Sequence, residues 1–69
     1  MTRLHVESSA IVSVGYSESA SALEVEFTGG AVYVYRGVPA ETHREFLNAE
    51  SKGAFFNVVI RPNFPFVRA

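Results

Sequence analysis

Strict alternation over Ala22-Leu23-Glu24-Val25-Glu26-Phe27 constrains this chain more than any other feature. Leu23, Val25 and Phe27 fall on one face of a strand, and both glutamates fall on the other. Thr28-Gly29-Gly30 follows, then Ala31-Val32-Tyr33-Val34-Tyr35, rich in β-branched and aromatic residues. Two such runs around a glycine pair predict a β-hairpin. Its register has two solutions. A two-residue Gly29-Gly30 turn sets Val32 and Val34 beside Phe27 and Val25, and sends the tyrosines to the other face. A three-residue loop with a glycine bulge aligns Tyr33 with Val25 and Tyr35 with Leu23. One residue of slip exchanges the faces of the whole strand, and the pattern alone does not choose.

Around this hairpin the remaining elements are short. Ile11 to Tyr16 predicts a preceding strand, joined to the hairpin by the turn Ser17 to Ser21. Gly37-Val38-Pro39 stops the sheet and starts a helix over roughly Pro39 to Glu50. Pro39 takes the first helical position and Glu41 the first turn. His43, Phe46, Leu47 and Glu50 recur at helical spacing. Ser51 caps a second short helix whose apolar positions are Phe55, Phe56, Val59 and Ile60, though this run also fits a short strand. Arg61-Pro62 ends it, because the residue before proline avoids helical backbone. The tail through Phe64 and Phe66 is expected to be extended, with its aromatics on the core. The predicted fold is α+β, a three-stranded antiparallel sheet covered on one face by two short helices, forming one domain over residues 1–69.

A chain of 69 residues buries only about 60% of its unfolded surface, so its stability margin is small. It has no cysteine to staple it and none to hold zinc. An apolar content of 48%, with 13% aromatic, places it among folded chains rather than disordered ones. No apolar run approaches membrane-spanning length, and the N-terminus lacks the apolar stretch of a signal peptide, so the expected location is the cytosol.

The order of these pieces resembles the KTSC domain, a short bacterial module found at the C-terminus of some lysyl-tRNA synthetases and also alone. The resemblance rests on Ile11, Gly15-Tyr16, Leu23-x-Val25-x-Phe27, Gly30, Tyr33-x-Tyr35, Val38-Pro39, Ser51-x-Gly53, Phe55-Phe56-Asn57, Ile60-Arg61 and Pro65. It implies that Tyr33 and Tyr35 share the protected face with Leu23, Val25 and Phe27, and so favours the three-residue loop. Thr42-His43 stands where the family usually carries an apolar–aromatic pair, which makes His43 a core-edge substitute. The residue before Gly53 varies in the family, so Lys52 carries no implied role. The family has no established activity; its synthetase context implies RNA as an expected partner.

No catalytic or metal site is expected, and no cofactor or small-molecule substrate. There is no aspartate for a Ser-His-Asp triad, and two histidines with scattered glutamates do not make a zinc site. No lysine follows Gly29-Gly30 as a phosphate-binding loop requires. The best polar patch is Arg36, Lys52, Asn57 and Arg61, which would meet a phosphate or a partner carboxylate if the second helix packs near the end of the third strand. The alternative is ordinary capping by Asn57 and pairing of the arginines with glutamates such as Glu50. Tyr33 and Tyr35 are read as a structural aromatic pair packed under a helix, against the alternative that they stack bases.

Net charge is −1 and the pI about 6.0, far below the value above about 9 usual for dedicated nucleic-acid binders. Two functions therefore stand side by side. One is a non-catalytic accessory module binding RNA (tRNA) through Arg36, Lys52, Asn57 and Arg61. The other is a protein-interaction or self-association module, a homo-oligomer included, using Phe64 and Phe66.

Overall fold

The alternating segment forms β3 (Ala22–Phe27) and pairs antiparallel with β4 (Val32–Arg36) in the computed structural model, which describes residues 3–6 and 8–69. Val25 lies opposite Tyr33 and Leu23 opposite Tyr35. The loop is the three-residue one: the Phe27 N–H donates to the Ala31 carbonyl at 2.8 Å. Gly29 and Gly30 both take positive φ, +102° and +96°, a backbone conformation that only glycine adopts without strain.

Among the described residues the sheet has five strands, not the expected three. β1 (Arg3–His5), β2 (Ile11–Ser17), β3, β4 and β5 (Phe66–Arg68) follow one another in the order β1-β2-β3-β4-β5, every neighbour antiparallel. The two added strands are the edges, each three residues long. A period of two leaves no legible pattern over three residues. Tertiary pairing makes them strands, with the Arg36 N–H on the Pro65 carbonyl and the Ala69 N–H on the Val32 carbonyl, both at 2.9 Å.

A β-bulge interrupts β2 between Ile11 and Ser13. Simple alternation from Val14 would turn Ile11 away from the core. The extra residue at Val12 restores it, and Ile11 and Val14 are each only 1% exposed.

Both helices lie on the covered face. α1 spans Ala40–Asn48, with Pro39 as its extended N-cap rather than its first helical residue, and buries Phe46 completely. α2 (Lys52–Phe55) is capped as expected, the Ala54 N–H donating to Ser51 Oγ at 3.1 Å. It runs directly into a π-helical segment, Phe56–Ile60, closed by the Arg61 N–H on the Phe56 carbonyl at 2.9 Å. That segment buries Phe56 and Ile60 and turns Val58 out to solvent.

The core joins Ile11, Val14, Leu23, Val25, Tyr35, Val38, Phe46, Phe56 and Ile60. Among the described residues no helix covers the opposite sheet face, and there Arg3 Nε meets Glu24 Oε1 at 3.2 Å, while the Ser13 hydroxyl donates to Glu26 at 2.9 Å. Among the described residues no helix is long and apolar enough to cross a membrane.

Candidate functional site

Gly53, Asn57 and Arg61 are spaced four apart, which sets them in one row along α2 and the π-helical segment. That row forms one wall of a pocket of about 260 Å³, whose other lining residues are Ala10, Ile11, Phe27 and Phe56. The β2 bulge supplies Ile11 to this lining. Gly53 has no conformational reason to be glycine: its φ is not positive, and an added Cβ would meet no atom within 4 Å. Close backbone approach therefore does not explain it. It lines the pocket, and the space where its side chain would stand is open.

Next to the pocket lies a continuous set of rings. Phe56 meets Phe27 and Tyr35 edge-on, at 5.1 and 5.3 Å between centroids. Tyr33 meets Phe27 at 5.6 Å and Phe66 at 5.2 Å. Two guanidinium groups cap these rings, Arg61 at 5.8 Å from the Phe56 centroid and Arg68 at 5.9 Å from that of Tyr33. Distances within about 6 Å are those of cation–π attraction. Tyr35 is buried, but Tyr33 is only half-buried and Phe66 is 54% exposed. Burial raises the Tyr35 phenol above its ordinary pKa; Arg61 opposes the shift and Tyr33 adds to it. Tyr35 thus stays a neutral phenol around pH 7, and Arg61 lies close enough to act on it.

The four patch residues do not gather as a unit. Asn57 and Arg61 meet at the pocket. Lys52 turns the other way, its Nζ donating to the Ala49 carbonyl at 2.7 Å just past the end of α1. Arg36 stands opposite Ala22 at the far end of the hairpin, on the sheet face opposite Tyr35. Spacing along a chain does not say which face a strand-end arginine takes, nor which carbonyl a lysine finds.

Backbone capping in this region falls to Asn63, which donates to the Val59 carbonyl at 2.8 Å. The Asn57 amide makes no hydrogen bond among the described residues and stays exposed. Sequence reasoning placed Gly53 in the family motif without a site role, gave Phe66 to a protein-interaction role, and passed over Arg68. For the last two the usable signal was the alternation Phe66-x-Arg68, which puts both side chains on one face once β5 is recognised as a strand.

The far end of the covered face is closed. Tyr16 stacks on His43 at 4.5 Å and 11°, and its hydroxyl donates to the Val38 carbonyl. Burial lowers the His43 pKa, and Arg44 lowers it further. His43 is thus the core-edge ring that the family resemblance implied.

Known proteins carry the same segment. A protein of Tsukamurella paurometabola is 48% identical over 59 residues, spanning 86% of this chain and 88% of its own length. An uncharacterised protein of Stutzerimonas stutzeri is 44% identical, over 90% of this chain and 87% of its own. A lysine–tRNA ligase of Nostoc punctiforme is 38% identical over 91% of this chain, which corresponds to only 11% of the ligase. The crystal structure of a KTSC domain protein from Yersinia pestis superposes with a TM-score of 0.93 at 40% identity, covering 99% of this chain and 96% of that one. Residues 7–64 match the KTSC domain. With that match, and with its fold shared by a solved member, the chain belongs to the KTSC domain family.

Proposed function

We propose that this chain is a non-catalytic accessory module that binds single-stranded RNA along the edge formed by Tyr33, Phe66, Arg61 and Arg68, with Asn57 beside it. The observation that carries the proposal is the pairing of two guanidinium groups with a run of aromatic rings that reaches solvent at half-buried Tyr33 and exposed Phe66. Rings offer π-faces to unpaired bases, each stacked base contributing roughly 1–3 kcal/mol, while the arginines meet phosphates. Occurrence of the segment within a lysine–tRNA ligase supports an RNA context. Arg36 and Lys52, named from the sequence, lie away from this edge and leave the proposed site.

The net charge of −1 makes binding weak in isolation and strongly dependent on salt. The test is an amide NMR titration of the labelled chain with a short single-stranded RNA and with tRNA, at about 50 and 200 mM salt. Shifts are expected to cluster at Tyr33, Asn57, Arg61, Phe66 and Arg68. The logarithm of affinity should fall with that of salt by about 0.7 per phosphate held, and Arg61→Ala and Arg68→Ala should each remove about one such increment. Arg36→Ala should change neither. Absence of shifts at the lower salt would sink the reading.

A second reading rests on β5 itself. It is a sheet edge bearing Phe66 and Val67, 54% and 47% exposed, and unpaired edges template self-association. Sedimentation at increasing protein concentration decides it: a dimer that Phe66→Lys dissolves supports this reading, and a monomer throughout removes it.

A further inference from the structure

We infer that the pocket between Gly53, Asn57 and Arg61 receives one unstacked nucleobase, and that the bound strand is read there. This rests on the RNA reading above and adds to it a site of recognition.

The first argument is Gly53. Glycine is a poor helix former, and at this position the fold asks nothing of it: φ is ordinary and the side-chain direction is empty out to 4 Å. Gly53 lines the pocket, so a larger residue would stand at its wall. The second argument is shape. Ile11 and Phe56, 1% and 2% exposed, form an apolar floor, with the half-buried ring of Phe27 beside them. The volume of about 260 Å³ falls below the roughly 300–1,000 Å³ typical of drug-sized ligands and cofactors. It suits a single ring system.

The third argument is hydrogen bonding. The Asn57 amide is unengaged among the described residues and offers a donor and an acceptor side by side. A base edge presents the complement of that pair, whereas a carboxylate, which only accepts, would leave the amide oxygen unmatched. Arg61 sits where it can reach either a ring acceptor or the adjoining phosphate. Neighbouring nucleotides continue naturally onto Tyr33 and Phe66, since Phe27 belongs both to the pocket and to the ring run that meets Tyr33. Sequence-reading RNA modules commonly splay single bases into such sites beside aromatic and arginine planes.

The experiment compares fluorescently end-labelled octanucleotides of U, A and C, together with the preferred one carrying abasic sites, against the unaltered chain and Gly53→Leu, Gly53→Ala and Asn57→Ala. Thermal melts confirm that each variant is folded. The unaltered chain is expected to prefer one base by about tenfold and to lose that preference on abasic strands. Gly53→Leu and Asn57→Ala should equalise the homopolymers while keeping the salt-dependent affinity common to all strands; Gly53→Ala should fall between. Retained binding with unchanged base preference in Gly53→Leu overturns this inference and leaves the RNA reading standing. Failure of every strand to bind at low salt overturns the RNA reading, and this inference with it. N-acetylphenylalanine, tested as a free carboxylate by NMR, should leave Gly53 and Asn57 unmoved; if it shifts them where nucleotides do not, the pocket belongs to another ligand.

Discussion

At one end of the covered sheet face, half-buried Tyr16 is tied into the fold: His43 stacks on its ring, its hydroxyl is bonded to Val38, and Phe46 closes the core beneath α1. At the other end, Phe27 borders a pocket beside Tyr33, Asn57 has an unengaged amide, and two arginines lie over Phe56 and Tyr33, of which solvent reaches Tyr33. The two ends share the same three central strands and the same aromatic chemistry. They differ in whether polar atoms are satisfied within the fold. Buried, satisfied groups hold the structure, and unsatisfied groups beside a cavity are free to meet something else. Substitution at the closed end should therefore appear as lost stability, and at the open end as lost binding with little change in stability.

The sharpest test of that division is Phe46→Ala. Phe46 is fully buried and stacks on Phe55 at 5.5 Å. Removing such a ring costs about 3–5 kcal/mol. A chain of this length has only roughly 3–10 kcal/mol in total, so urea denaturation should find the variant at or near unfolding. Arg61→Ala, at the open end, should shift the same curve by less than about 0.5 kcal/mol. If the two variants lose comparable stability, the division fails.

Next in size is Tyr16→Phe. It keeps the stack on His43 and deletes one part-buried hydrogen bond, for an expected loss of about 1 kcal/mol. Gly53→Ala runs the other way. In α2 an alanine replaces a glycine of ordinary φ without steric conflict, and stability should rise by about 0.5–1 kcal/mol. A more stable variant with poorer base discrimination would show the open end kept open at the expense of its own helix.

How far all this was legible varies residue by residue. Alternation assigned Leu23, Val25 and Phe27 to one face unaided, but Tyr33 and Tyr35 only through the family resemblance, because Gly29-Gly30 serves a loop of either length. The four-residue spacing of Asn57 and Arg61 was readable as a helix row. Ile11 was not readable as pocket lining, since a bulge reverses the face that alternation gives it. β1 and β5 were hidden because three residues carry no period and their hydrogen bonds come wholly from neighbours distant in sequence. Arg36 and Lys52 failed to join the site for a related reason: a flexible cation goes where the nearest carbonyl or open face lies, and only the folded chain decides that.

The smallest effect concerns pH and belongs to the closed end alone. His43 is half-buried against Tyr16, with Arg44 adding repulsion, so its folded-state pKa lies below the ordinary 6.5. The unfolded chain then takes up the His43 proton at a higher pH than the folded chain does. Stability is full above about pH 6.5, and falls as acid carries the pH down through that value to the lower folded-state pKa, where the loss is complete. Urea midpoints measured from pH 8 to pH 5 should show this decline. In His43→Phe, which restores the uncharged ring stack, the part of the slope due to this group should vanish. Equal slopes in both chains would mean that His43 is not held neutral by its surroundings, and that the closed end is wetter than the Tyr16 stack implies.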